Sequence, residues 1–145
     1  MASRDLRGAA YHEAGHAVVA SVLGLRVGRI EIGIGGDEAK GTTDIEHDPD
    51  LPLTEALAVC AAGLEAQKLF KAPTHPGAGW GDYGMMIELL DGFEETASFA
   101  LRDAGHQRAY ELLKSHSDKV EKIARVLIAH RKIEPDAVHD LLKQS

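Results

Sequence analysis

The chain has 145 residues, enough for one domain with a real core, and its 44% hydrophobic and 27% charged residues give the profile of a globular protein. A net charge of −7, with no block of lysines or arginines, argues against nucleic acid and anionic membrane as partners. One cysteine, Cys60, excludes a disulfide framework, no apolar run reaches the roughly 18 residues that cross a bilayer, and residues 1–8 lack the apolar segment of a secretory signal. A cytoplasmic protein without membrane insertion is therefore expected, folded as a single domain over residues 1–145.

The first expected helix spans residues 4–23 and ends near Gly24. It carries His12-Glu13-Ala14-Gly15-His16, an HExxH motif. At about 100° per residue, His12 and His16 stand one turn apart on one face, where two imidazoles can grip one metal ion. Glu13 lies beside them, placed to take a proton from a metal-bound water without being a ligand. Around the motif nearly every residue from Ala9 to Leu23 is apolar or small, so the helix reads as buried. Burying unpaired polar groups costs about 2–7 kcal/mol each, and a divalent metal with its water would offset that for all three side chains. Eight histidines and twelve glutamates predict about 0.04 accidental HExxH matches in a chain this long, which favours a metal site over two satisfied core histidines.

Residues 27–34 alternate apolar with other residues, the period of a half-buried strand. Gly35-Gly36-Asp37 signals a turn, and residues 41–47 read as a second strand pairing back. The hairpin either closes one side of the core or offers an edge strand beside the motif helix, to which an extended peptide adds. Pro49 and Pro52 bracket a loop before a helix over residues 53–70 that contains Cys60 as a small core residue. Residues 71–81, with two prolines and three glycines, read as a loop. Asp82 stands where an N-cap would open a helix over 83–90, and Gly92 breaks or kinks the chain. A helix over 93–115 is expected to turn Phe93, Ala97, Ala100, Leu101, Ala104, Tyr110 and Leu113 inward. Ser117 or Asp118 would cap a helix to His130, and Pro135 suits the first turn of a short last helix. His106, His116, His130 and His139 fall in polar helical surroundings and read as surface residues.

Three pieces, in order, resemble the peptidase domain of the membrane-bound, ATP-dependent FtsH-type zinc proteases. The first is Ala10-Tyr11-His12-Glu13-Ala14-Gly15-His16-Ala17-Val18-Val19, very close to the family's motif helix. The second is Gly77-Ala78-Gly79-Trp80-Gly81-Asp82, similar to its Thr-Gly-Ala-x-x-Asp element. The third is the tail from Val120 to Leu142, similar to its last helices. The resemblance implies a mainly α fold, a helical metallopeptidase domain with a small β-hairpin next to the HExxH helix. It also implies Zn²⁺ on His12, His16 and Asp82, with Glu13 as general base. A catalytic zinc keeps three protein ligands and one open position; His75, His47 and Glu88 are the other candidates for the third place.

The chain departs from that family in three respects. It has no phosphate-binding loop of an ATPase and no transmembrane segment. Where the family is usually Gly-Arg-Ala-Ala-Glu-Glu, the chain reads Gly63-Leu64-Glu65-Ala66-Gln67-Lys68, so two carboxylates that would orient the histidines have become Gln67 and Lys68. The part between Asp82 and the tail also looks shorter than in the family. The expected function is hydrolysis of peptide bonds in peptides or unfolded segments, the latter supplied by a partner AAA+ ATPase. The rival reading is a zinc-binding but inactive adaptor or assembly module that docks on such a partner or self-associates. A weaker third is a hydrolase of non-peptide amides.

Overall fold

The computed structural model describes residues 2–35, 38–74 and 80–143. Along the chain these form α1 (Ala2–Val22), β1 (Val27–Gly35), β2 (Glu38–Ile45), α2 (Leu53–Leu69), α3 (Trp80–Leu89), α4 (Glu95–Ser115), α5 (Ser117–His130), β3 (Lys132–Ile133) and α6 (Pro135–Lys143). The protein is mainly α with a small antiparallel sheet, as expected. No helix among the described residues is long and apolar enough to cross a membrane.

The expected burial of the motif helix is found: α1 packs against α2, α5 and both long strands, and Ala10, Ala14, Ala17, Val18, Val19 and Ala20 are shut off from solvent. Its stop is glycine-dependent. Gly24 has φ +91°, and the bonds Leu25 N–H to Ala20 O (2.9 Å) and Gly24 N–H to Ser21 O (3.0 Å) close the last turn as a Schellman motif. At the other end the Arg7 guanidinium donates to the carbonyls of Phe70 and Lys71, and Tyr11 stacks on Phe70, which ties the first half of α1 to the end of α2.

Small residues let α1 and α2 close up. A Cβ on Gly15 would stand 2.6 Å from both Ala62 O and Ala66 Cβ, so the helices meet backbone to backbone there. The next contact outward repeats the device, because a Cβ on Gly105 of α4 would lie 2.6 Å from Leu57 Cβ of α2. The face that α4 buries is Gly105, Ala109, Leu112 and Leu113. This corrects the expected inward set. Leu113 is buried, but Phe93, Ala100 and Ala104 are exposed and Ala97, Leu101 and Tyr110 only half-buried. The helix leans on α2 through its second half, where the glycine permits close approach.

The hairpin is present and the expected alternation holds from Arg29 to Ile32, with Ile30 and Ile32 buried and Arg29 and Glu31 exposed; Val27 is also buried, across an irregularity in the ladder between it and Ile30. β1 and β2 pair antiparallel, with Ile30 opposite Thr43 and Ile32 opposite Gly41. β3 adds a third strand that two residues of sequence could not announce. It pairs Ile133 with Ile30, giving the order β2-β1-β3. Arg131, at φ 66° in the left-handed region, ends α5 and turns the chain into it. β2 and the two-residue β3 are therefore the outer strands, and β2 is the one that lies beside α1.

Three starts differ from expectation. α3 begins at Trp80, so Asp82 sits inside its first turn and is not the N-cap. α4 begins at Glu95, after Gly92 at φ +90° and Phe93. α5 is preceded by His116, whose side chain makes no capping bond, and Ser117 is already helical. Pro135 opens α6, as its fixed φ favours.

Candidate metal centre

His12 and His16 lie on α1 and Asp82 on α3, and the structure brings all three together. His12 Nε2 is 2.9 Å and His16 Nε2 3.0 Å from Asp82 Oδ2, and the two Nε2 atoms are 3.1 Å apart. Each ring is held by its other nitrogen. His16 Nδ1–H donates to Val59 O at 2.8 Å, and a carbonyl can only accept. His12 Nδ1–H donates to Gln67 Oε1 at 2.7 Å. The orientation of that amide follows from its far side, where Gln67 Nε2 donates to Pro73 O at 2.8 Å. With both Nδ1 atoms carrying the proton, both Nε2 atoms present lone pairs. Two lone pairs and a carboxylate oxygen then face one another, three acceptors with no donor between them. Such a triangle calls for a cation, either a proton or a metal.

The dimensions suit zinc. Zinc lies about 2.0–2.2 Å from nitrogen and oxygen ligands, so adjacent corners of a tetrahedral site are about 3.4 Å apart. The observed edges of 2.9–3.1 Å are close to that. Two imidazoles and one carboxylate leave a fourth corner for water, the ligand count of a catalytic rather than a structural site.

The same triangle explains the electrostatics. Burial alone would raise the Asp82 pKa, but a proton in the triangle lets His12 and His16 donate to the carboxylate and face it with positive charge, which holds it well below the usual carboxylate range. Burial alone would lower the His16 pKa, but the Asp82 hydrogen bond and charge, with Glu13 and Val59 adding to them, raise it above 6.5. Burial, and then the Asp82 charge, push the Cys60 thiol up to about 11.

One stripe of α2 builds the back of the site. Val59, Gly63 and Gln67 are spaced four apart and therefore share a face. They run antiparallel to His16 and His12, with Val59 on His16 and Gln67 on His12. Between them a Cβ on Gly63 would stand 2.3 Å from His12 Nε2, so only glycine leaves that atom its place. Lys68, one residue on from Gln67, is exposed and pairs with Glu65 at 3.4 Å, away from the triangle.

Glu13 is 7% exposed and makes no part of the triangle. Its Oε1 accepts from Thr43 Oγ1 at 2.6 Å, and Gly41 passes directly over its side chain. Beside the centre opens a cavity of about 940 Å³, walled by β2, the segment that follows it, α2 and α3. Leu25, Ala39, Ile45, Val59, Met85 and Leu89 make much of this wall apolar.

Of the rival third ligands, His47 and Glu88 are exposed and line the cavity, but neither joins the triangle. His75 lies outside the described residues. His106, expected at the surface, is half-buried and donates from Nδ1 to Glu65 at 2.7 Å, linking α4 to α2. Sequence reasoning missed Thr43, Gly41 and the Val59 carbonyl. The spacing of four on α2 and of two on β2 are signals that could have found them.

No family model matches this sequence, and comparison with curated proteins finds no similar one.

Proposed function

We propose that the chain is a zinc-dependent peptidase that cleaves peptides or unfolded segments in the cytoplasm, with the FtsH-type peptidase domain as the class it resembles. One observation carries the reading. Two histidine nitrogens and a carboxylate oxygen converge within 3.1 Å at the wall of a large cavity, one residue from a buried glutamate. His12, His16 and Asp82 would hold the ion. Bound there, zinc supplies a water acidified toward a pKa of about 7 and a Lewis acid for the scissile carbonyl.

The rest falls to side chains and backbone of the chain itself. Glu13 Oε1 is engaged by Thr43, and Oε2 accepts no hydrogen bond among the described residues. Oε2 is therefore the oxygen that takes the proton of the attacking water and passes it to the leaving amine nitrogen. β2 is the outer strand that lines the cavity, so an extended substrate can pair with its edge, and the apolar wall beside it receives a side chain. An extended backbone is what a folded substrate cannot offer, hence the preference for peptides and unfolded segments.

The test is cleavage of casein by the zinc-loaded protein, beside Glu13→Gln. The variant is expected to keep zinc and lose turnover; turnover surviving the change would refute the role of Glu13.

A second reading has its own observation. Tyr83, Met85 and Ile87 of α3, with Phe93 and Phe99, are each about half exposed. Such an apolar surface fits an adaptor that binds zinc and docks on an AAA+ partner or on copies of itself. Stoichiometric zinc with no turnover of any unfolded substrate would favour that reading.

A further inference from the structure

We propose that the Gly41-Thr42-Thr43 stretch of β2 is the seat of Glu13, with Thr43 a positioning residue for its carboxylate and Gly41 the source of the space it fills. The catalytic consequence rests on the peptidase reading above; the seat itself does not.

Glu13 needs such a device. A glutamate has three side-chain torsions, and on α1 none of its helical neighbours offers this carboxylate a hydrogen bond among the described residues. Thr43 supplies one. Its hydroxyl has a single proton and two acceptors in reach, Glu13 Oε1 at 2.6 Å and Glu13 O at 3.3 Å. The shorter bond to the charged oxygen takes the proton. Thr43 is itself held in the ladder, opposite the wholly buried Ile30. Its β-branched side chain adds a stiff first torsion.

Gly41 completes the arrangement by strand parity. Residues two apart on a strand share a face, so Gly41 and Thr43 both turn toward α1. A Cβ at Gly41 would stand 2.5 Å from Glu13 Cγ and 2.9 Å from Oε2. Any larger residue would push the carboxylate out of the place where Thr43 holds it. Thus one edge of Glu13 is pinned, its stem is accommodated, and Oε2 alone is left to exchange a proton. The strand that would receive the substrate is also the strand that aims the base.

Thr43→Val keeps the shape and removes only the hydroxyl, while Thr43→Ser keeps the hydroxyl. On an unfolded peptide substrate, Thr43→Val is expected to lower kcat by about 10-fold or more with KM and zinc affinity within about 2-fold, and Thr43→Ser to recover most of the loss. A purely structural threonine would not split kcat from KM in this way. The second readout needs no turnover: thermal midpoints of wild type, Thr43→Val, Glu13→Ala and the double variant. Thr43→Val should lower the midpoint more when Glu13 is present than in the Glu13→Ala background, where the hydroxyl keeps only the longer bond to the carbonyl of residue 13. Additive midpoints, or wild-type kcat in Thr43→Val, would overturn the proposal. If zinc-loaded wild type cleaves nothing, the peptidase reading falls, and the midpoint cycle alone decides whether Thr43 holds Glu13.

Discussion

Gln67 Oε1 stands 2.7 Å from His12 Nδ1, and the amide's other end is anchored on Pro73 O at 2.8 Å. A neutral amide therefore sets the tautomer and the aim of one of the two rings that face Asp82. It orients as a carboxylate would, without adding negative charge behind the imidazole. Removing it by Gln67→Ala is expected to weaken zinc binding about 10–100-fold. Competition against a chromophoric chelator measures this; unchanged affinity would mean that packing alone orients His12.

Gly63 makes a sharper case. Because an added Cβ would fall 2.3 Å from His12 Nε2, Gly63→Ala must displace the ring from Asp82 and His16. The helix should tolerate alanine, which gains up to about 1 kcal/mol in helix propensity over glycine. The expected result is a protein with wild-type helix content by circular dichroism and zinc affinity reduced more than about 10-fold. Full zinc occupancy in that variant would show that His12 is dispensable.

Metal removal should be visible in stability. Zinc bound only to the folded chain at about 100 times its Kd adds about 2.7 kcal/mol, a shift of about 5–10 °C in Tm for a domain of this size. Chelator should lower the Tm of wild type by that order and leave Asp82→Ala unmoved. A chelator shift that survives Asp82→Ala would locate the metal elsewhere.

The metal-free protein and the zinc-loaded one should answer pH in opposite directions. His16 has its folded pKa raised above 6.5, so its contribution is complete below 6.5 and is lost as pH rises through the raised value. Asp82 is lowered from 3.8, so its contribution is present above 3.8 and is lost only as pH falls through the lowered value. In chelator, the Tm should therefore fall as pH climbs from about 6 to about 8. With zinc the ligands must be unprotonated, and the Tm should hold or rise over the same span. Parallel curves would show that the triangle takes no metal.

Cys60 should be inert despite lining the cavity. With its pKa pushed up to about 11, it is about 0.1% thiolate at pH 8. Modification by an aromatic disulfide reagent should be slow in the native protein and prompt after unfolding. Rapid native labelling would mean that Cys60 is far more open than its 7% exposure.

How much of this could be read along the chain varies with range. The motif helix, its burial, the hairpin and the proline-opened α6 follow from period and punctuation, which act over a few residues. α4 shows the limit. Its apolar residues were legible, but the buried face is the one that Gly105 brings onto Leu57, and a missing side chain carries no hydrophobic signal. Likewise Asp82 has the chemistry of an N-cap and of a ligand alike, and sequence alone left both open. β3 is too short to have any period.

Local sequence alone determined that two imidazoles share one face of a buried helix with a carboxylate beside them, because a turn of 3.6 residues permits nothing else. Packing decided which partners meet them. Asp82 reaches His16 from 66 residues away, Gln67 reaches His12 from 55, and Thr43 reaches Glu13 from 30. Those registers depend on where glycines let α2 and β2 slide against α1, and close approach between distant segments is a property of surfaces, written in no single stretch of chain.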